Sequence, residues 1–588
     1  MFGKIQYVGN NEALVEKSDN QEFNKTDIMN LHVIFNAENQ RIMGEVTEVN
    51  DKLIKIKFLG EFIGEKFISG VLRKPLINST IRTINESEKE VIFGNNSVNN
   101  IFIGKSPIYN CDIFMDINKC FSNHFAVFGN SGSGKSCGVA RLIQNIFLNK
   151  NFLSYNANLF IFDAYGEYKS AFSTINQINP NYNYKFITTN PTDEDDYKLN
   201  IPFYLLNLED LSLLLQVSEH GQIPIVERTL KLVKIFSQDD DLSKKYKNHL
   251  IAKALLAVLF SNLTIDNKKN QVFKIIEACN TYEFNFNSQI QGLGYTRKFS
   301  ECFAIDSNGN FGESVLINDY ILSFLDDDLE NSKEPDIAYY NINDFQKAMD
   351  FTLISEGFQN NENIYSDAII LKVRLHSIIN SKMVNYFDCE KKINAERYIS
   401  DLVVKNNKKA QIININLEDL DDTYAKVFVK IMTRLFFEFA KRRKQRASIP
   451  FHILLEEAHR YVQKDNDTYL IGYNIFDRIA KEGRKYGVLL NIISQRPVEL
   501  SDTVISQISN FFIFKMTHPL DLDYIKKMLP NISEDVIEKQ KSLQPGTCVT
   551  FGTAFKIPMF IKLEMPNPAP YSSSCDVLSC WNPRKWEK

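Results

Sequence analysis

The sequence predicts an α/β protein with a mainly parallel sheet, a small β-module in front of it and a helical domain inserted into it. Three observations predict this fold class. Apolar runs of strand length alternate with helical patterns over 124–163 and again over 411–514, as in parallel sheets with crossover helices. Stretches of alternating polarity fill the N-terminal part. Helical patterns joined by Asn- and Asp-rich connections fill the middle. We therefore expect a sheet domain that is interrupted in sequence.

The 588 residues are enough for several folding units. The predicted organisation is an N-terminal β-barrel over 1–95, a sheet domain split between 100–200 and 408–562, a mainly helical insertion over 201–407 and an extended arm over 563–588. The arm begins with several prolines, which remove backbone donors and fix φ. It is expected either to be disordered or to lie as a strap across an adjacent subunit.

The N-terminal module is predicted from period-two alternation. In the run 53–58, Ile54, Ile56 and Phe58 share one face while two lysines occupy the other. An Asn-Asp pair just before this run is a turn signal. A small barrel or sandwich is therefore expected here, and nothing in it suggests catalysis.

The strands of the sheet domain are predicted from buried apolar runs, and its helices from the patterns between them. The predicted strands are 124–128, 159–163, 411–415, 451–455, 488–493 and 510–514, and the predicted helices are 135–148, 423–443 and 474–485. In the insertion, helices are predicted at 205–217, 225–236 and 369–379.

Composition sets limits on partners and compartment. The formal net charge is −4, so any contact with a polyanion must come from local patches. Nine cysteines are scattered without a CxxC pair, which favours free thiols in a reducing compartment. The N-terminus lacks a signal-type sequence, and no apolar stretch approaches membrane-spanning length. We expect a cytoplasmic protein that does not span a membrane.

The first candidate site follows the strand at 124–128. The glycine-rich turn fits the G-x-x-x-x-G-K-S pattern, in which backbone N–H groups cradle phosphates, Lys135 reaches the β- and γ-phosphates and the Ser136 hydroxyl takes one Mg²⁺ position. ATP and Mg²⁺ are the expected ligands. The expected nucleotide-binding residues are Gly129, Asn130, Ser131, Gly132, Ser133, Gly134, Lys135, Ser136 and Cys137.

The second half of the site is predicted where two later strands end. Glu456 and Glu457 follow the strand at 451–455, so Glu456 is expected in the Mg²⁺ shell, through water, and Glu457 as the general base. Gln495 follows the neighbouring strand and is the candidate γ-phosphate sensor. Arg484, at the end of the helix between them, is suited to stabilise phosphate charge in the next subunit. A solvated cation at a helix C-terminus is the alternative interpretation of Arg484.

These stretches resemble the HerA family of hexameric DNA-translocating ATPases, in the wider HerA–FtsK group. The resemblance lies in GNSGSGKS, DAYGEY, ILLEEAHRYV and RIAKEGRKYGVLLNIISQRPVELSDTVISQISNFFIFKM. The N-terminal stretches GEVTEVNDKLIKIKFLGEF and GVLRKPL resemble, in their sequence pattern, the barrel of that family. The likeness is strongest over 124–168 and 451–517 and weak over 237–365.

The resemblance implies a RecA-like P-loop NTPase core with an N-terminal HAS-barrel-like module. It also implies a homohexameric ring with ATP sites between subunits and double-stranded DNA in a central channel. Lys135, Ser136, Glu456, Glu457 and Gln495 match the family's P-loop, Walker B pair and sensor. Arg484 matches its trans-acting arginine. Lys169 and the basic run 441–446 are guesses for the channel lining, although a solvated helix end is favoured for that run.

Members of the family typically work with an effector such as a nuclease or a sirtuin-type NADase. Low Gly and Pro with abundant Asn, Lys, Ile and Phe suggest an AT-rich bacterial genome, which favours antiphage defence. Two alternatives stay open: an ATP-switched scaffold ring that regulates the effector, and a DNA-end-processing helicase of recombinational repair.

Overall fold

The computed structural model of the protein describes residues 2–18, 28–307, 309–356, 362–388, 391–464, 472, 474–528, 534–571, 577 and 581. Within them the chain forms two compact units: 2–198 with 398–464 and 474–571, and 199–397. The break at 397 differs from the expected 407. The reason is that the Lys185 ammonium donates 2.8 Å hydrogen bonds to the carbonyl oxygens of Asp401 and Val404, which joins this segment to the sheet.

The N-terminal module is an antiparallel sheet that curls until its end strands meet. The strand order is β1-β2-β5-β4-β3-β7, with β6 paired to β5. Ile54 and Ile56 are buried in its core and Phe58 packs against them, which confirms the predicted face. The strands are β1 (Phe2–Val8), β2 (Glu12–Lys17), β3 (His32–Ala37), β4 (Gln40–Val49), β5 (Leu53–Ile63), β6 (Lys66–Ser69) and β7 (Thr80–Thr83).

The central sheet of the same unit begins after this module. Its N-terminal portion alternates strands with helices, as the sequence predicts, and the strand after α2 leads directly into the glycine-rich turn. The elements are α1 (Glu86–Phe93), β8 (Asn100–Lys105), β9 (Asp112–Asp116), α2 (Ile117–Phe121), β10 (Phe125–Phe128), α3 (Lys135–Leu148), β11 (Leu159–Asp163), α4 (Lys169–Phe172), β12 (Tyr184–Thr188) and β13 (Tyr197–Lys198).

The second unit is mainly helical, with one β-hairpin. The predicted helices at 205–217, 225–236 and 369–379 correspond to α5, α6 and α11, and α5 is shorter than expected. The elements are α5 (Leu208–Leu214), α6 (Ile223–Phe236), α7 (Asp241–Leu259), α8 (Ile265–Ala278), β14 (Gln289–Gln291), β15 (Thr296–Lys298), α9 (Ser314–Leu322), α10 (Ile342–Glu356) and α11 (Glu362–Ile379); α12 (Ala395–Leu402) returns to the first unit.

The rest of the chain completes the central sheet. Strands such as β19 and β20 are apolar and buried throughout, because helices cover both faces of a parallel sheet. The elements are β16 (Val404–Lys405), β17 (Lys408–Lys409), β18 (Ile412–Asn416), α13 (Asp422–Arg442), β19 (Phe451–Leu455), α14 (Ile475–Tyr486), β20 (Val488–Ser494), α15 (Asp502–Ser506), β21 (Asn510–Phe514), α16 (Pro519–Met528), α17 (Glu534–Lys541), β22 (Thr547–Gly552) and β23 (Met559–Lys562).

Twelve strands of the described chain form this sheet, in the order β13-β12-β18-β11-β19-β20-β10-β21-β22-β23-β8-β9. From β13 to β21 the neighbours are parallel, which confirms the predicted α/β class. The six strands predicted for this domain are all present. Further strands flank them, because β12 and β13 extend one edge and four antiparallel strands extend the other.

The start of the C-terminal arm lies along its own chain. The Gln144 side chain on α3 bonds both the N–H of Asn567 (3.0 Å) and the carbonyl of Pro568 (2.8 Å). The N–H of Tyr571 donates to the carbonyl of Glu167 at 2.8 Å. Residues 567–571 therefore contact their own chain, and a strap across an adjacent subunit stays a prediction. The expectation for residues 572–576, 578–580 and 582–588 lies outside the described residues.

Candidate active site

The glycine-rich turn connects the centre of the sheet to α3. β10 lies between β20 and β21, and the turn closes through a bond from the N–H of Gly546 to the carbonyl of Ser133 (3.0 Å). Gly132 and Gly134 have φ of 73° and 93°, values that favour glycine. A Cβ on Gly134 would lie 2.7 Å from the Gly546 nitrogen. All nine predicted nucleotide-binding residues lie in this turn and the first turn of α3, where helix N–H groups favour anions.

Three of the predicted catalytic residues meet at the end of the sheet that carries this turn. The Nζ of Lys135 lies 3.6 Å from Oε1 of Glu457, and their side chains are only 6% and 4% exposed. Gln495 donates from Nε2 to the same Oε1. The hydroxyl of Ser131 donates to Oε1 of Gln495 at 2.6 Å. Gln495 therefore bridges the glycine-rich turn and the candidate base.

Glu457 sits in a strained backbone conformation. Its φ of 46° and ψ of 48° are left-handed, which for a residue with a Cβ costs on the order of 1–3 kcal/mol. Such strain is typical of functional positions. It places the carboxylate beside the ring of His459, whose Nδ1 lies 3.3 Å from Oε2. The sequence analysis did not single out His459.

A second group of carboxyls lies beside this pair. Glu456 is 2% exposed and accepts the N–H of Ala164 at 3.2 Å. Burial, and then the adjoining carboxylate of Asp163, raise the pKa of Glu456 well above its usual range. Asp163 itself accepts the N–H groups of Glu167 (3.1 Å) and Tyr168 (2.9 Å). The two carboxyls therefore lie side by side, and the backbone N–H groups of the loop donate to Asp163.

The donors at this edge fit a hard divalent cation completed by phosphate oxygens. Within the described residues, no cluster of three or more His, Cys, Asp or Glu side chains could hold a metal ion. Mg²⁺ commonly takes only one or two carboxylates together with substrate phosphates and water. Glu167 is suited to such a role, because its Oε2 is buried and lacks a hydrogen-bond partner among the described groups. Burial raises the pKa of Glu167, and the nearby Ser136 hydroxyl opposes this.

Arg484 lies at the opposite end of the central strands, where they begin. It is exposed near the end of α14 and lines a cavity of about 500 Å³ with Phe121, His452 and Leu489. β20 begins just after it and ends at Ser494, next to Gln495. A strand of that length spans roughly 20 Å. The structure therefore does not bring Arg484 to the Lys135 of its own chain.

Comparison with known proteins finds relatives among DNA helicases. Residues 101–297 match the family described as "Helicase HerA, central domain". The chain is 25% identical over 521 residues to the "DNA double-strand break repair helicase HerA" of Sulfolobus acidocaldarius, covering 87% of this chain and 78% of that protein. The chain is thus similar to HerA helicases over most of its length.

Two further proteins resemble this chain. It is 27% identical over 309 residues to the protein of the same name from Sulfurisphaera tokodaii; the match covers 52% of this chain and 59% of that relative's length. Among solved structures, VirB4 of Thermoanaerobacter pseudethanolicus aligns with a TM-score of 0.45 at 13% identity, over 80% of this chain and 98% of that one.

Lys169, a guess for the channel lining, is held by acids of its own chain. Its ammonium lies 2.7 Å from the carboxylate of Asp193 and 2.8 Å from that of Asp196. These ion pairs raise the pKa of Lys169 although its partial burial opposes this. Within its own chain the cation is therefore paired, and its place in a channel stays a prediction. None of the helices in the described residues is both long and apolar enough to cross a membrane.

Proposed function

We propose that this chain is a HerA-family ATP hydrolase that moves along double-stranded DNA as a translocase or helicase. The single observation that carries the proposal is the meeting of Lys135, Glu457 and Gln495 at the glycine-rich turn. A phosphate-binding loop beside a buried carboxylate is the arrangement that nucleoside triphosphate hydrolysis needs.

Each residue has a role in this proposal. The turn 129–137 holds the phosphates. Lys135 breaks its ion pair with Glu457 and contacts the β- and γ-phosphates. Glu457 accepts a proton from the attacking water. Gln495, bonded to both the turn and Glu457, contacts the γ-phosphate and responds to its loss.

Mg²⁺ is the proposed cofactor. Ser136 and Glu456 would hold it, with Glu167 as a further oxygen donor. When bound, Mg²⁺ neutralises charge that develops on the phosphate oxygens. Glu456 would give up its proton on binding the cation, because a metal ligand must be deprotonated.

The proposed assembly is a homohexameric ring with duplex DNA in its channel. The position of Arg484, away from the Lys135 of its own chain, supports action on the nucleotide of a neighbouring subunit. A ring of head-to-tail contacts joins two different surfaces of the subunit at each interface, so we expect the surface that carries Arg484 to face the glycine-rich turn of a neighbour. The exposed basic run 441–446 is the candidate for phosphate contacts.

The proposed context is bacterial antiphage defence together with a nuclease or sirtuin-type NADase. The second candidate is DNA-end processing in recombinational repair, which the names of the relatives from Sulfolobus acidocaldarius and Sulfurisphaera tokodaii favour. Purification with the product of the neighbouring gene separates the two. A co-purifying NADase supports defence, whereas an end-resecting nuclease without phage protection supports repair.

The experiment that tests the activity is phosphate release from ATP with and without linear duplex DNA, followed by strand displacement. We expect hydrolysis that duplex DNA stimulates and that Lys135→Ala removes. Hydrolysis that ignores DNA would favour an ATP-switched scaffold ring instead. Absence of hydrolysis in intact hexamers with Mg²⁺ would contradict the proposal as a whole.

A further inference from the structure

His459 lies between the ends of two neighbouring strands of the ATP site. It follows β19 by four residues, and its Nδ1 lies 3.3 Å from Oε2 of Glu457. The same Nδ1 lies 3.3 Å from the hydroxyl of Ser494, the last residue of β20. That hydroxyl also accepts the N–H of Arg496 at 3.0 Å. The imidazole therefore touches both the candidate base and the strand that ends at the candidate sensor.

The two oxygens of the Glu457 carboxylate have unequal surroundings. Oε1 contacts the Lys135 ammonium and accepts from Gln495. Oε2 is buried and has no hydrogen bond of good geometry within the described residues. The Nδ1 of His459 lies 3.3 Å from this oxygen. A buried carboxylate oxygen without a donor is costly, so a small rotation of the imidazole would satisfy it.

We propose that His459 is a positioning residue for Glu457, an inference that rests on the proposed ATP hydrolysis. When phosphates attract Lys135, the carboxylate loses its ion pair on Oε1. His459 then holds Oε2 through Nδ1 and keeps the carboxylate facing the water. Since the backbone of Glu457 is left-handed and strained, the side chain needs this support from outside its own strand.

The contact with Ser494 adds a second consequence. Ser494 pairs with Phe128 across the β10–β20 ladder, one residue before both the glycine-rich turn and Gln495. A shift of this strand end on phosphate loss therefore moves the partner of His459. The imidazole thus couples the position of the base to the state of the sensor strand.

The test compares His459→Ala and His459→Asn in the intact ring. The Asn amide can place a donor near the position of Nδ1, whereas Ala cannot. We expect His459→Ala to lower kcat for ATP by about tenfold to a hundredfold, the usual cost of a misplaced catalytic group. KM and the affinity for a non-hydrolysable ATP analogue stay within about twofold, because His459 acts on the base rather than on the phosphates. His459→Asn restores most of kcat.

The matched control is His376→Ala in the helical unit, which removes a histidine that contacts Gln346 outside the ATP site. It should leave kcat unchanged. Normal kcat in His459→Ala would overturn the inference. Loss of analogue binding in both His459 variants would also overturn it, because it indicates a general structural role. Failure of the proposed function is distinct, since the unaltered ring would then not hydrolyse ATP at all.

Discussion

Seen along its strands, the central sheet has a buried edge, where the central strands end, and an exposed edge, where they begin. These two edges carry charge in opposite ways. At the edge where β10, β11, β19 and β20 end, charged side chains are buried and engaged with each other: Lys135 faces Glu457, and Glu456 lies against Asp163. At the other edge, Arg484 and the basic run 441–446 are exposed to solvent. The first edge is a preorganised site, and the second is a cationic surface.

In the proposed ring, this difference divides each site between two chains. Parallel strands fix Gln495 and Arg484 at opposite ends of β20. No side-chain rotation can bridge a separation on the order of 20 Å. The comparison therefore predicts that damage at the buried edge acts within a subunit, while damage at the exposed edge acts on a neighbour.

The largest effect is expected from Lys135→Ala. The substitution removes the buried cation that faces Glu457 and that would bind the phosphates. Hydrolysis should become undetectable and ATP binding should weaken strongly, as measured by phosphate release and by binding of a fluorescent ATP analogue. Retained hydrolysis would show that the buried edge is not the ATP site.

Glu457→Gln should separate the two functions of the buried edge. The amide keeps the shape of the side chain but cannot accept a proton from water, so kcat should fall by about 10²–10⁴. ATP should bind as before and remain trapped in the ring, which a filter-binding measurement after a chase detects. Near-normal turnover would mean that the general base is another residue.

Mixed rings test the exposed edge, with a smaller expected effect. Arg484→Ala and Glu457→Gln subunits are each expected to be inactive alone. Mixed at equal amounts, about one interface in four would combine an intact Glu457 with an intact Arg484 from the neighbour. Partial recovery of ATPase at this level supports action between subunits. No recovery at any mixing ratio would contradict it.

The smallest effect concerns pH and the buried start of β10. The Nδ1 of His124 accepts the N–H of Leu490 at 2.9 Å, and Nε2 lies 3.1 Å from the carbonyl oxygen of Ala480. Burial lowers the pKa of His124 from 6.5 to about 4. The unfolded state therefore takes up the proton first. The contribution of the neutral His124 to the free energy of unfolding is therefore complete above about pH 6.5 and is lost as the pH falls towards 4.

The measurement is Tm at about pH 7.5 and at about pH 5.5. Between these two pH values, one such histidine lowers the free energy of unfolding by about 1.4 kcal/mol. His124→Asn should lower Tm at both pH values yet show a smaller drop between them. An unchanged drop in His124→Asn would mean that other groups dominate the pH dependence.

The strand-end rule explains what the sequence could predict. Lys135, Glu457 and Gln495 each follow a strongly apolar run, and parallel strands place such ends at one edge, so their meeting was predictable. His459 and Glu167 were not singled out. His459 reaches the site through the left-handed turn at Glu457, a conformation that no local pattern indicates.

The unpredicted strands have a related cause. β8 and β9 lie before β10 in sequence, yet β8 pairs with β23 at the far side of the sheet. Periodicity identifies a strand but not a partner hundreds of residues away. Lys169 illustrates the same limit: its acidic partners Asp193 and Asp196 lie on a later loop, and only the fold brings them together.

The pairing of β10 also has a consequence for how the protein is made. β10 takes both of its neighbours, β20 and β21, from residues more than 350 positions further along the chain. At ribosomal speeds of about 5–20 residues per second, a time on the order of tens of seconds separates the synthesis of the glycine-rich turn from the synthesis of β20 and β21. The N-terminal sheet, built from residues 2–83, can fold during that interval. A nascent chain is thus unable to complete the candidate ATP site until nearly all of it has left the ribosome.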